Sequence, residues 1–295
     1  MWRNRALALA LASLLLSGIT WGNGAVQADE TMERIREKGS LRVAVYKDFP
    51  PYSYAEGGRY VGIDVDIARA LAERMGLALD LMPVGADESV GDDLRNWVWK
   101  GHYLGGGTAD LMMHVPFDPD FAEENGQATL FAPYFREHMA MVFDSSVIGD
   151  AADPAALARQ RIGAEIDSVA DYYLSGAFSG LLRDAARRFP SNQAALAALG
   201  RGELDAVLAP RAQIEAYLSR HPDPRLRTSL YSLRGMLRSY WDVGLAIKAD
   251  NQELRAELET AMSSLRGDGS LQRLLAAHGV SYVAPALASA SAEHN

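Results

Sequence analysis

The segment from Leu41 to Gly76, LRVAVYKDFPPYSYAEGGRYVGIDVDIARALAERMG, most narrows what this chain can fold into. Leu41, Val43 and Val45 alternate with Arg42 and Ala44, the two-residue period of a strand. Asp48-Phe49-Pro50-Pro51 ends that strand, because two prolines neither donate to a ladder nor continue as helix. The result is a rigid loop bearing aromatic rings. Gly57-Gly58 marks a hairpin tip, and after Gly62 the spacing of Val65, Ile67, Ala68, Leu71, Ala72 and Met75 predicts a helix with Asp64 as its N-cap. Strand, loop and covering helix in this order begin an open α/β sheet, whose binding crevice lies at the carboxyl ends of its strands.

Residues 1–28 carry Arg3 and Arg5, an apolar run from Ala6 to Leu16, and small residues ending at Val26-Gln27-Ala28. The run is too short to cross about 30 Å of hydrocarbon, so it reads as a secretory signal peptide cleaved after Ala28. No second long apolar run occurs and the chain has 0 cysteines, so neither a lipid anchor nor a disulfide is expected. The expected product is a soluble periplasmic monomer. Its formal charge, −9 for the whole sequence, becomes more negative once Arg3 and Arg5 are lost, which argues against nucleic acid or an anionic membrane as partner. Hydrophobic residues make up 48%, enough for two lobes with cores of their own. The stretch from Ala284 to Asn295, alanine and serine without a period, is expected to be disordered.

The rest of the chain repeats the theme. Thr31 to Lys38 predicts a helix stopped by Gly39, Leu77 to Pro83 a strand, and Asp92 to Trp99 a helix. Gly105-Gly106-Gly107 reads as a connector, since a phosphate loop needs a helix directly after it and here the strand Ala109 to Val115 follows. That strand brings His114 to its carboxyl end, where Pro116 and Asp118-Pro119 stop it. Only Asp118 stands near His114 as a second metal ligand, too few for a site, and no cofactor is expected. His138 to Phe143 predicts a strand crossing out of the first lobe. Beyond it, Arg161 to Ile166 is a strand, and Asp167-Ser168 caps a helix over Val169 to Ser175. Ser191 caps another helix ending at Gly200 and Gly202, and Leu204 to Leu208 is a strand stopped by Pro210. A helix over Gln213 to Leu218, a strand over Ser239 to Lys248, and helices over Gln252 to Arg266 and Ser270 to His278 complete the pattern.

In order, LRVAVYKDFPPYSY with GGRYVGIDVDIARALAERMG, ADLMMHV followed by APYF, RIGAEIDSVADYYL, ALAALGRGELDAVLA, and WDVGLAIKADNQEL with LRGDGSLQRLLAAHG resemble the amino-acid-type periplasmic solute-binding proteins, extracellular solute-binding family 3. The resemblance implies a periplasmic-binding-protein type II fold, with two α/β lobes, a ligand cleft between them and two crossover segments. Lobe 1 would comprise residues 29–137 and 243–283, and lobe 2 residues 138–242, with crossovers near His138 to Phe143 and Tyr240 to Leu245. Three departures stand out. Phe121 replaces the arginine that meets the ligand carboxylate, Pro210 replaces the aspartate that meets its ammonium, and Asp167 places a negative charge where glycine is usual. An ordinary amino acid is therefore not the expected ligand. More loosely, DLMMHVP with PYFR resembles solute-binding-like proteins associated with quinoprotein alcohol or methanol dehydrogenases, although His114 replaces a glycine and the cysteines are absent. Partners implied are an ABC permease or a periplasmic quinoprotein dehydrogenase with its cytochrome.

The cleft of such a binding protein would be lined by Tyr46, Phe49 and Tyr52, with His114, Pro116, Tyr134, Ser168, Arg211 and Trp241 as further candidates. For Tyr134 and Trp241, burial in a core accounts for the residue equally well. An enzyme on the same fold, a cyclohexadienyl dehydratase-like lyase, is the alternative, with His114, Asp118 and Glu165 as available acids and bases. Neither a Gly-x-Ser-x-Gly nor a His-Glu-x-x-His pattern accompanies them.

Overall fold

The computed structural model describes residues 30–149, 153–236 and 238–286. The signal-peptide reading and most of the expected tail fall outside these residues, although Pro285 is buried. Helix α1 (Glu30–Lys38) turns Met32 and Ile35 inward and leads to β1 (Ser40–Tyr46). A hairpin of β2 (Tyr54–Glu56) and β3 (Arg59–Val61) follows. Helix α2 (Ile63–Arg74) buries Val65, Ile67, Ala68, Leu71 and Ala72, as their spacing predicts. Its N-cap is Gly62 rather than Asp64, which lies within the first turn and is 1% exposed.

Strand β4 (Ala78–Val84) runs parallel to β1. Helix α3 (Val90–Leu94), capped by the Ser89 hydroxyl, continues as a π-helical turn over Arg95–Trp99. Strand β5 (Leu111–Pro116) joins β1 on its other side, and α4 (Pro119–Glu124) starts from an Asp118 cap. The crossing strand is much longer than its sequence pattern indicates: β6 (Ala128–Asp144) is 17 residues long. Next come α5 (Pro154–Leu157), β7 (Ile162–Glu165), α6 (Val169–Gly180), β8 (Ala186–Phe189) and α7 (Asn192–Gly200). Helical geometry in α6 is lost at Ala177, two residues past the predicted end at Ser175. The chain closes with β9 (Ala206–Pro210), α8 (Arg211–Arg220), β10 (Leu226–Leu230), β11 (Tyr240–Lys248), α9 (Gln252–Gly267) and α10 (Ser270–Ala277).

The strands form one mixed sheet in the order β4-β1-β5-β11-β6-β9-β7-β8, with β10 also on β6. Strand β6 pairs with β11 from Ala128 to His138, then with β9 from Met139 to Phe143, so one continuous strand changes partners midway. Hydrophobic clusters cover both faces around each set of partners. Leu41, Val43, Leu71 and Leu245 pack on one face of the first set, and Met82, Leu94 and Met112 on the other. Met141, Ile162 and Leu208, then Val142, Leu196 and Val207, do the same for the second. Burial on both faces is what parallel strands with crossing helices require, and it leaves their carboxyl ends to form a crevice.

Candidate functional site

A cleft of about 500 Å³ opens at those carboxyl ends. Tyr46 at the end of β1, Phe49 and Tyr52 from the proline loop, and His114 and Pro116 at the end of β5 form one wall. Glu165 at the end of β7, Pro210 at the end of β9 and Gln213 in the first turn of α8 form another, with Trp241 near the start of β11. Six of the residues selected from sequence as cleft-lining, Tyr46, Phe49, Tyr52, His114, Pro116 and Trp241, thus share a single cavity with Glu165, selected as an available acid or base.

The proline loop is locked from below. The Phe49 and Ser53 backbones bond each other, with the Phe49 N–H on the Ser53 carbonyl at 2.8 Å and the Ser53 N–H on the Phe49 carbonyl at 3.0 Å. Gly62 sits against the Tyr52 carbonyl at φ 127, where an added Cβ would come within 2.3 Å of that oxygen. Only glycine fits there. The next amides, Ile63 and Asp64, donate to the Pro51 and Tyr52 carbonyls at 3.0 and 2.9 Å, so the start of α2 is occupied by the loop itself. On this base the Phe49 ring lies 5.0 Å from both Tyr52 and His114 and 6.0 Å from Tyr46, edge-on to Tyr46 and His114. Such edge contacts give a stiff apolar wall at little entropic cost.

Behind His114 stands a buried polar relay. The Tyr134 hydroxyl donates to Asp64 Oδ1 at 2.6 Å, and His114 Nδ1 lies 3.1 Å from Asp64 Oδ2. The His114 N–H donates to the Tyr134 oxygen at 3.2 Å, holding a backbone with φ 60 that a non-glycine residue rarely adopts. With the ring proton on Nδ1 facing Asp64, Nε2 carries the lone pair, and it has no partner among the described residues. Burial, then the Asp64 charge, raises the Tyr134 hydroxyl well above its ordinary pKa, so it remains a donor. Asp64, read from sequence as a helix cap, instead orients the histidine.

Carboxylates dominate the remaining walls: Asp48, Asp87, Glu88, Asp93 and Glu165 line the cleft beside one cation, Lys47. Asp93 accepts the Tyr46 hydroxyl at 2.6 Å and the Asp87 N–H at 2.8 Å, while burial lifts its carboxyl above the ordinary range. Glu165 is also raised by burial, with the Asn192 N–H at 3.2 Å as its counterweight. The Gln213 side chain is 5% exposed and its amide has no hydrogen bond among the described residues. Also among these residues, no group of three or more His, Cys, Asp or Glu is arranged to hold a metal ion.

Other candidates stand back from the cavity. Tyr134 is buried beneath it on Asp64. The Ser168 hydroxyl caps α6 by accepting the Asp171 N–H at 3.3 Å. Arg211 is 6% exposed and spends its guanidinium on Glu215 at 2.7 Å and the Ser281 carbonyl at 3.0 Å. Asp118, a possible acid or base, caps α4 and meets Arg238 at 3.0 Å. Phe121 packs partly buried against the Met82 and Leu94 cluster. The sequence reading missed Asp87, Glu88, Asp93 and Gln213. The available signal for the first two was position, since residues following β4 must reach the crevice at the strand's carboxyl end.

The model of the bacterial extracellular solute-binding proteins, family 3, matches residues 41–94, the segment that builds β1, the proline loop, α2, β4 and α3. Over this segment the chain is similar to the family 3 solute-binding proteins. The ABC transporter arginine-binding protein 1 of Escherichia coli is 22% identical over 267 residues, 90% of this chain and 96% of that protein. The cyclohexadienyl dehydratase of Pseudomonas aeruginosa is 43% identical over 84 residues, a match spanning only 28% of this chain and 29% of the enzyme. Among solved structures, an ancestral cationic amino acid solute binding protein superposes with a TM-score of 0.67 at 19% identity, covering 84% of this chain and 99% of that one. The fold is that of the type II periplasmic binding proteins. Family 3 proteins of this kind are extracellular or periplasmic, and among the described residues no helix is long and apolar enough to cross a membrane.

Proposed function

We propose that this protein captures a small molecule in the cleft between two lobes, residues 29–137 with 243–283 and residues 138–242, and delivers it in the periplasm to an ABC permease. The observation that carries this reading is the cavity of about 500 Å³, lined by preformed aromatic rings and a few polar groups, which is the size and make-up of a small-ligand site. The full-length likeness to an arginine-binding transport protein supports it. The quinoprotein-accessory reading has less support, because its motif residues face inward: Tyr134 serves Asp64, and Arg136 forks onto Asp242 at 2.7 and 2.9 Å. An ordinary amino acid is a poor candidate ligand, since no arginine lines the cleft among the described residues and Pro210 offers neither charge nor N–H.

A thermal-shift screen of the purified protein against a broad metabolite panel tests the reading. At a hundredfold excess over Kd a ligand stabilises by about 2.7 kcal/mol, and Phe49→Ala is expected to weaken its binding at least tenfold, or about 1.4 kcal/mol. A ligand unaffected by Phe49→Ala binds elsewhere and contradicts the proposal. One second reading has an observation in its favour: Asp64 orients His114 at the cavity wall, the placement a general base requires, and the dehydratase of Pseudomonas aeruginosa shares 43% identity over 84 residues. Dehydration of a cyclohexadienol yields an aromatic ring, so appearance of aromatic absorbance on mixing with such a substrate, abolished in His114→Ala, would favour the enzyme.

A further inference from the structure

We infer that the cleft selects an organic cation that carries no carboxylate, an amine or guanidine head on an apolar or flat body. The inference rests on the ligand-capture reading and adds the chemistry of the ligand. Five carboxylates line the cavity against the single Lys47, and among the described residues none of the five forms an ion pair. They stand on opposing walls, Glu165 on one and Asp48, Asp87, Glu88 and Asp93 on the other. In a concave site with low-dielectric walls such charges sum and focus, drawing in a cation and repelling an anion. The aromatic faces of the proline loop add attraction for the same charge.

A second, independent feature points to a ligand. Gln213 is 5% exposed, lines the cavity, and leaves its amide without a partner among the described residues. That amide opens on the cavity, and a ligand N–H donor set against the Gln213 carbonyl oxygen and the Glu165 carboxylate on the same wall would pair with both.

Several of the positions from which an anion could be held are already taken. The Ala212 N–H at the start of α8 donates to both Glu137 oxygens at 3.3 Å. The first amides of α2 donate to loop carbonyls. Arg211 is committed to Glu215 and Ser281, and Arg136 to Asp242. A zwitterion would thus bring its carboxylate into a wall of like charge with only Lys47 to receive it. A bare metal ion is a poor alternative, because these carboxylates do not converge on a common point.

The test uses matched pairs that differ only by the carboxylate: cadaverine against lysine, agmatine against arginine, and phenethylamine against phenylalanine, with 2-phenylethanol as the neutral control. Calorimetry on the mature chain is expected to find at least one amine bound tenfold or more tighter than its amino acid. Glu165→Gln should weaken that amine at least tenfold, with the unliganded protein melting no lower than wild type. An amino acid bound as tightly as its amine, or 2-phenylethanol bound as tightly as phenethylamine, overturns the inference while leaving ligand capture intact. Silence toward every probe also overturns it, and ligand capture falls with it only if the broad metabolite screen is silent too.

Discussion

Asp205, at the amino end of the strand opposite the cleft, receives three hydrogen bonds from Arg161: the backbone N–H at 2.7 Å, Nε at 3.0 Å and Nη2 at 2.6 Å. The Arg161 guanidinium holds its carboxyl below the ordinary range, against the opposing effect of burial. A depressed native pKa fixes the sign of the linkage. The contribution to stability is fully present above the unfolded carboxylate pKa, about 3.9, and is lost as pH falls through the native value. Urea midpoints measured from neutral pH into the acid range should therefore fall less steeply for Asp205→Asn than for wild type, with the variant less stable at neutral pH. Parallel acid limbs in the two proteins would refute this. Because Asp205 precedes β9, at the end opposite Pro210, ligand binding should be unaltered.

At the scale of elements, the strand-loop-helix unit from β1 to α2 stands or falls on Gly62. Its backbone at φ 127 and the Tyr52 carbonyl oxygen leave no room for a Cβ, and that same carbonyl receives the Asp64 amide. Gly62→Ala is expected to cost about 3 kcal/mol or more in urea denaturation, combining backbone strain with a clash against main chain. Gly57 at the hairpin tip, φ 58 with nothing within 4 Å, supplies the comparison. Gly57→Ala adopts a left-handed conformation only, a cost of about 1 kcal/mol. Equal losses for the two variants would show that the packing under Tyr52 contributes nothing. The unit's motif was legible because each of its signals is local: a two-residue period, a proline pair, a glycine and a helical face. Strands β8 and β10 were not, since ARRF and LRTSL lie largely exposed and carry no apolar alternation.

For the whole molecule the critical place is where β6 changes partners. There Arg136 and Asp242 face each other in register and join in a two-pronged ion pair, with the Tyr240 ring 4.5 Å from the guanidinium carbon. Strand β6 links the two sets of partners, and the chain passes from β10 into β11 here, so this fork ties the two connections to each other. Arg136→Met should raise amide exchange by about tenfold or more at residues 135–139 and 240–243 together, leaving the centres of β1 and β9 protected. Arg136→Lys should not restore protection, because an ammonium cannot engage both carboxylate oxygens in this planar geometry. Unchanged exchange in Arg136→Met would mean that the strand ladder alone holds the crossing.

Periodicity and turn chemistry act within a few residues, so the α/β class, the strand ends that face the crevice and six side chains lining the cavity could be read from local patterns. Tertiary structure alone decided what the carboxylates do. Asp64 looks like a cap in sequence, yet it serves Tyr134 and His114, 70 and 50 positions away. Gln213 looks like an ordinary helical residue until the fold buries it at the cavity wall with its amide unpaired. Whether a polar side chain is capped, paired or held open for a ligand depends on the groups that burial brings beside it, and those come from distant parts of the chain.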